Sequence, residues 1–287
     1  MLRWPYPNAY VPHVLGLLLL VSCAGRAQAQ QRPLVTEDPE TIGAGRVLLE
    51  GGVEYGRSAE IPIYGLEGNL WHVPTIGVSF GLGWLAELQF DSGYSRLDVT
   101  SRGAGPLSGM LGFDGDSTSA VRDIVVATKV RLLDEKPGRP AVGVRFATKL
   151  PNASNETGLG TDMTDFAATV LVAKTIGSVR TVGNIGFAIL GDPTQNATQH
   201  DPLIYSVSMA RALTSAAEVV GELEGRWLPS DSDAPGAENA ASLRGGLRYT
   251  YRSVRLDGAL IVGLTDVNPS FGFSTGVTWV FDAFRAP

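Results

Sequence analysis

The stretch SLRGGLRYTYRSVRLDG, Ser242 to Gly258, threads Arg244, Arg248, Arg252 and Arg255 around Tyr249 and Tyr251. Arginines beside aromatic rings suit two chemistries. One is phosphate contact and base stacking on nucleic acid; the other is a wall with one charged and one greasy face. Side-chain parity decides between them. At strand spacing Leu243, Leu247, Tyr249 and Tyr251 point one way, and Arg244, Arg248 and Arg252 the other. A nucleic-acid surface needs both residue types on one exposed face within a positive field. Here the two are separated and the chain is acidic, with a formal charge of −6. No nucleic-acid partner is expected.

Charges elsewhere obey the same parity. In AAEVVGELEGRWL the residues Glu218, Glu222, Glu224 and Arg226 share a face. So do Arg46, Glu50 and Glu54; Glu87, Gln89 and Asp91; Asp123, Lys129 and Arg131; and Arg145 with Lys149. Arg255 and Asp257 form a further pair. A Lys or Arg facing lipid near the bilayer midplane costs ~2–4 kcal/mol, so in a membrane barrel all of these must face the lumen. The expected ladder along the solute path is Glu50, Glu54, Glu87, Asp91, Lys129, Arg131, Arg145, Lys149, Glu218, Glu222, Arg226, Arg244, Arg248, Arg252 and Asp257. One register sets Glu222 beside Arg248 and Glu218 beside Arg252, and also brings Arg226 near Arg244. Such pairs could discharge a confined interior, or they could guide or filter a solute.

Catalytic patterns are sparse. Past the N-terminal thirty residues only His72 and His200 remain, without the clustered ligands of a metal site. A Ser/His or Asp/His arrangement at an external rim is the enzymatic alternative, with His200 near Asp192 and Asp201. Ordinary rim histidines are the expectation. No phosphate-binding glycine loop is present, and no cofactor, metal or catalytic residue is expected.

The elements that position these residues are strands. In SFGFSTGVTWVF, Phe271, Phe273, Thr275, Val277, Trp279 and Phe281 face one way and Gly272, Ser274, Gly276 and Thr278 the other. AVGVRFATKL repeats the pattern. About twelve such segments run near 45–57, 69–81, 84–96, 121–133, 139–150, 164–175, 178–190, 202–213, 216–228, 240–252, 254–265 and 270–283, with ends uncertain by ~2–4 residues. Most reach about ten residues, longer than the ~5–6 of soluble strands and matched to the ~9–11 of tilted membrane strands. Connections alternate: SAEIPIYGLEG, Asp98–Ala120, PNASNETGLGTDMTD, GDPTQNATQHDP and PSDSDAPGAEN are long, while GLG, DEKPGR, IGS, LTSA and RSV are tight. Short periplasmic turns and longer external loops mark an outer-membrane barrel.

Aromatic residues fall at the segment ends. Phe80, Trp84, Tyr249, Tyr251, Trp279 and Phe281 lie toward the tight turns; Tyr55, Tyr94, Tyr205, Trp227, Phe271 and Phe273 lie toward the long loops. Two belts are expected at the membrane interfaces, anchored chiefly by Trp84, Trp227, Tyr249, Tyr251, Trp279 and Phe281. Since no water in lipid satisfies an open sheet edge, the sheet must close. The predicted fold is an all-β, antiparallel up-and-down transmembrane barrel of about twelve strands, of outer-membrane type.

The N-terminus reads as an address. Arg3 precedes the apolar run VLGLLLLVSCAG, and Ala27 and Ala29 form an A-x-A site, so residues 1–29 are expected to be a signal peptide cut after Ala29. LVSC at Leu20–Cys23 is a rival lipoprotein site. Cleavage removes Arg3, Arg26 and the single cysteine, bringing the charge from −6 to −8 and excluding thiol chemistry. Residues 30–44 are then a periplasmic segment, 45–283 the barrel and 284–287 a tail. The Gly- and Ser-rich stretch Asp98–Ala120 is the loop expected to fold into the lumen.

PLVTEDPETIGAGRVLLEGGVEYG, residues 33–56, resembles the opening of a family of bacterial outer-membrane proteins labelled transporters or phenol degradation MetA-pathway proteins. The family's T-[DE]-D-P/G-x-T-x-G-x-G stretch maps onto Thr36, Glu37, Asp38, Pro39, Thr41, Gly43 and Gly45, with Glu50 inside the first strand. ATKLPNASNETGLGTDMTDF, residues 147–166, is similar to its strand–loop–strand element. The resemblance implies an outer-membrane barrel passing small, hydrophobic or aromatic compounds, and it carries no catalytic residues.

The expected function is therefore a channel for passive passage of small compounds in the outer membrane of a Gram-negative bacterium. Its expected partners are outer-membrane lipid, the barrel-assembly machinery and a small-molecule solute, with the chain monomeric. The alternatives are a barrel enzyme acting on lipid or a surface substrate, and an adhesive barrel that binds through its external loops.

Overall fold

Alternation of side chains drives the architecture. A computed structural model describes residues 32–195, 198–229 and 236–284. The expected signal peptide and Cys23 lie outside these residues. The strands are β1 (Arg46–Ile61), β2 (Leu66–Gly81), β3 (Ala86–Arg102), β4 (Ser117–Val121), β5 (Ile124–Leu133), β6 (Ala141–Leu150) and β7 (Asp165–Ile176). They continue with β8 (Val179–Gly191), β9 (Gln199–His200), β10 (Leu203–Ala212), β11 (Ala217–Trp227), β12 (Ala240–Tyr251), β13 (Val254–Gly263) and β14 (Phe271–Asp282).

All pairings among the described residues are antiparallel, and β1 pairs with β14 through Gly51 opposite Val277, which closes the barrel. β4 and β5 both pair with β3, and β9 and β10 both pair with β8. Each couple forms one interrupted wall position, so the described strands make a closed twelve-position barrel. Closure satisfies the backbone groups that an open edge would expose to lipid.

The wall has two faces. Outward residues such as Phe187, Leu256, Leu260 and Val277 are bare in the isolated chain. Inward residues such as Glu87, Lys129, Ser208 and Thr278 are buried. No described helix is long and apolar enough to cross a membrane, and the strands do the crossing instead.

Three expectations about connections change. β1 and β2 each run sixteen residues, consuming most of SAEIPIYGLEG. What remains is a 3-10 turn, Pro62–Tyr64, closed by Gly65 at φ 64°. That left-handed conformation suits glycine, so the first external connection is tight rather than long. β3 continues to Arg102, which shrinks the next loop to residues 103–116. Extension is favoured because Leu66, Leu97 and Leu107 bury with Ile63 and Tyr64, and Leu111, Phe113 and Leu159 pack around them. This apolar cluster ties three external connections together at the rim. Loop 103–116 joins that cap, and the segment that enters the lumen is a different one.

That segment is residues 32–45. Instead of hanging free in the periplasm it threads the barrel, with Leu34, Thr36, Glu37 and Ile42 buried. Ile42 packs on the inward side chains of Leu48 and Val280. Glycines clear its path: a Cβ at Gly52 or Gly276 would strike the Arg32 guanidinium.

Candidate channel lumen

The N-terminal segment is held by charge and by backbone hydrogen bonds. The N–H groups of Val35 and Thr36 donate to the Glu222 carboxylate at 3.0 and 2.5 Å. The N–H of Glu37 donates to Asn184 Oδ1 at 2.7 Å, and Asn184 Nδ2 returns a bond to the Glu37 carbonyl. The N–H of Ile42 donates to Glu87 Oε2 at 2.8 Å. Buried backbone groups need such partners, and the barrel's inward side chains supply them.

Side-chain charges complete the hold. Glu37 lies 3.2 Å from Lys129 and 2.9 Å from Arg145, while Lys129 also meets Glu87 at 2.9 Å. Asp38 accepts both Nε and Nη2 of Arg180 in a two-pronged contact. Glu40 pairs with Arg131 at 2.7 Å, and Arg32 with Asp257 at 3.4 Å. The acids of the segment therefore neutralise a cluster of wall cations on β5, β6 and β8.

The remaining ladder residues sort by height. Glu50 accepts from Thr278 Oγ1 at 3.0 Å, and Glu54 pairs with Arg244 at 2.8 Å. Asp91 lies 3.9 Å from Arg145. Lys149 bridges Asp165 at 2.6 Å and Asp123 at 3.5 Å near the external rim. Glu218 stands 3.9 Å from both Arg248 and Arg255, and Arg248 Nε donates to the Arg32 carbonyl at 2.8 Å.

The expected β11–β12 register is wrong by four residues. Glu218 sits opposite Arg248 and Glu222 opposite Arg244. Arg226 faces Ala240 and bonds to Glu238, so the expected clash with Arg244 vanishes. The shift sets two opposite-charge pairs side by side, the favoured outcome for cross-strand neighbours. Arg252 leaves the ladder. It occupies the tight β12–β13 turn at φ 57°, exposed, with its guanidinium 5.3 Å from the Tyr251 ring centre.

The belt residues lie on the outer face. Trp84, Trp227, Tyr249, Tyr251 and Trp279 are exposed, and Trp279 stacks on Phe281 at 4.4 Å. Toward the external side Tyr55 contacts Trp71 and Phe273 at 4.5 and 5.6 Å.

Above the N-terminal segment a cavity of about 590 Å³ opens beneath the external loops. Val35 and Glu37 form its floor, and Ile61, Ile63, Leu159 and Leu171 give it apolar wall. Asn184, Ser206, Glu224 and Arg226 give it polar wall. Tyr64 closes the loop side, its hydroxyl donating to the Gly160 carbonyl at 2.5 Å. Burial, helped by nearby Asp162, pushes this phenol up to about 12, so it stays a donor.

The two histidines are separately engaged. His72 Nδ1 contacts Ser95 Oγ at 2.7 Å on the inner face of β2 and β3, and Glu54 is its cross-strand partner. His200 Nε2 lies 3.5 Å from Asp192 in an external connection. No group of described residues has the geometry of a metal site.

Arg32, Asp38, Glu40, Arg180 and Asn184 were missing from the expected ladder. Arg180 and Asn184 share the inward parity of VRTVGNIGF, a signal present in the sequence. The acids of the N-terminal segment lie outside any strand pattern, so periodicity could not find them.

Solved structures share this architecture. The COG4313 outer membrane channel from Pseudomonas putida F1 matches with a TM-score of 0.60 at 15% identity, over 85% of this chain and 98% of that one. The NanC porin matches with a TM-score of 0.53 at 11% identity, over 81% and 98%. At such identities the likeness establishes an outer-membrane barrel fold. No curated protein sequence matches the chain. Residues 31–281 match the family described as "Putative MetA-pathway of phenol degradation", and the chain belongs to that family.

Proposed function

We propose that this barrel is an outer-membrane channel for passive entry of small molecules, with the cavity above the N-terminal segment as its binding vestibule. The cavity itself carries this reading. Its volume of about 590 Å³ lies within the ~300–1,000 Å³ of small-molecule sites, and it joins apolar wall to a few polar groups. A small aromatic with a hydroxyl can lay its ring on Ile61, Ile63 and Leu159 and hydrogen-bond Asn184 or Ser206. The family's phenol-degradation description supports such a solute, and the likeness to a P. putida outer-membrane channel supports the channel role.

The segment 32–45 blocks the route below the vestibule, so passage requires it to shift. Its contacts are mostly polar and charged, with Ile42 packed on Leu48 and Val280, so a shift has to hydrate the carboxylates and wall cations that it separates. The barrel acts as a monomer inserted by the assembly machinery, with its aromatic belts set in lipid. Uptake of phenol-sized solutes into proteoliposomes, compared with empty vesicles, is the direct test. No uptake, together with no conductance in a planar bilayer at any salt concentration, would sink the channel reading.

The Ser95–His72–Glu54 arrangement favours the enzymatic alternative by residue type alone. Ser95 is buried, at 4% exposure, and Glu54 is already committed to Arg244. A nucleophile has to reach its substrate. His72→Ala should therefore leave solute passage intact; loss of a hydrolytic activity in that variant would reverse the conclusion.

A further inference from the structure

Charge is distributed unevenly between the two ends of the barrel. The six external connections (62–65, 103–116, 151–164, 192–202 apart from β9, 228–239 and 264–270) contain ten acidic residues and no lysine or arginine. The tight turns at the other end hold Lys136, Arg139 and Arg252 against Asp134 and Glu135. The vestibule shares the external sign. Glu37, Glu60, Glu224 and Glu238 line it against Arg145 and Arg226; from behind the lining Lys129 also holds Glu37 and Arg244 holds Glu224, which leaves Glu60 as the lining carboxylate outside every ion pair of the described residues. Neither guanidinium is available to an anionic solute, because Arg145 is held by Glu37 and Arg226 by Glu238. Glu60 makes no ion pair among the described residues and faces the cavity on the strand leading into the tight first turn.

We infer that the vestibule discriminates by charge, admitting neutral and cationic aromatic solutes and rejecting aromatic anions. This deepens the channel reading above and rests on it. A cleft lined by one sign, with low-dielectric walls, focuses the field and raises the local concentration of the opposite charge by ~10–10³. The external acids extend that field over the approach, and Glu60 applies it where the solute is stripped of water. A carboxylate or sulfonate entering the cavity meets no free cation, and its lost hydration is not replaced. An ammonium group meets Glu60 with an open oxygen. The loop acids alone could instead serve to gather divalent cations at the outer-membrane surface, and the test separates the two roles.

Benzyltrimethylammonium and benzenesulfonate are of similar size and permanently charged, so neither crosses lipid unaided. Their entry into proteoliposomes should differ on the order of tenfold in favour of the cation at low salt, shrinking as salt is raised. Glu60→Gln should reduce the ratio and Glu60→Lys should reverse it, each entry rate being normalised to that of a neutral sugar of similar size through the same variant. Equal entry of both probes, or faster entry of the sulfonate, would overturn the inference while leaving the channel standing. A ratio untouched by Glu60→Lys would overturn it in favour of a surface role for the acids. Exclusion of all three solutes would overturn the channel reading and this inference together.

Discussion

Glu37 and Lys129 meet at 3.2 Å although 92 residues separate them, one on a segment without secondary structure and one on the inner wall of β5. Lys129 has no exposed side-chain surface and is also held by Glu87 at 2.9 Å. The contact joins the N-terminal segment to the barrel through a cation that has no exposed side-chain surface. Two carboxylates around one ammonium make its removal costly, because uncompensated charge stays behind.

Lys129→Met is expected to destabilise the refolded barrel by about 3–5 kcal/mol. The double variant Lys129→Met/Glu87→Gln should recover a large part of the loss, since it removes charge of both signs. Urea unfolding in detergent or bilayers measures both. A double variant no more stable than the single one would show that the pair is not the origin of the cost.

Deleting residues 32–41 should raise conductance several-fold, since the segment lies inside the lumen that the strands enclose. Arg180→Gln should give a smaller rise by releasing the two-pronged contact to Asp38, as charge-assisted hydrogen bonds contribute ~1.5–3 kcal/mol. Unchanged current after the deletion would mean that the block lies elsewhere.

The β11–β12 register can be tested chemically, because the single cysteine of the chain is Cys23. A Val219→Cys/Leu247→Cys pair should cross-link on mild oxidation, as these positions face each other. Val219→Cys/Tyr251→Cys should not, although the alternative register would align it. Non-reducing gel mobility reads the outcome.

The connection after β8 should resist acid. Burial acts to raise the Asp192 carboxyl, but bonds from the Thr194 hydroxyl and N–H and from the Thr198 hydroxyl outweigh it and hold the group below its ordinary 3.8. A depressed carboxyl stabilises fully above its unfolded value and loses that contribution as pH falls through the lower folded value. Protease sensitivity of this loop should stay flat down to pH about 4 and rise only below it. In Thr194→Val the rise should begin at higher pH.

Residue alternation by itself determined the barrel. A strand period of two assigns each side chain to lipid or lumen, and the cost of charge in lipid fixes which face is which. SFGFSTGVTWVF and AVGVRFATKL state this without any coordinates, and TEDPETIGAG carried the family resemblance. Register was beyond the sequence: Glu218 and Glu222 could each satisfy more than one arginine, and only closure of every strand against its neighbours chose Arg248 and Arg244. The path of residues 32–45 was also decided by tertiary structure. Its acids form no periodic pattern, and what draws them inward is a set of wall cations spread over β5, β6 and β8. Lys129, Arg145 and Arg180 come together only when the barrel closes, so their demand for a counter-charge does not exist in the linear chain.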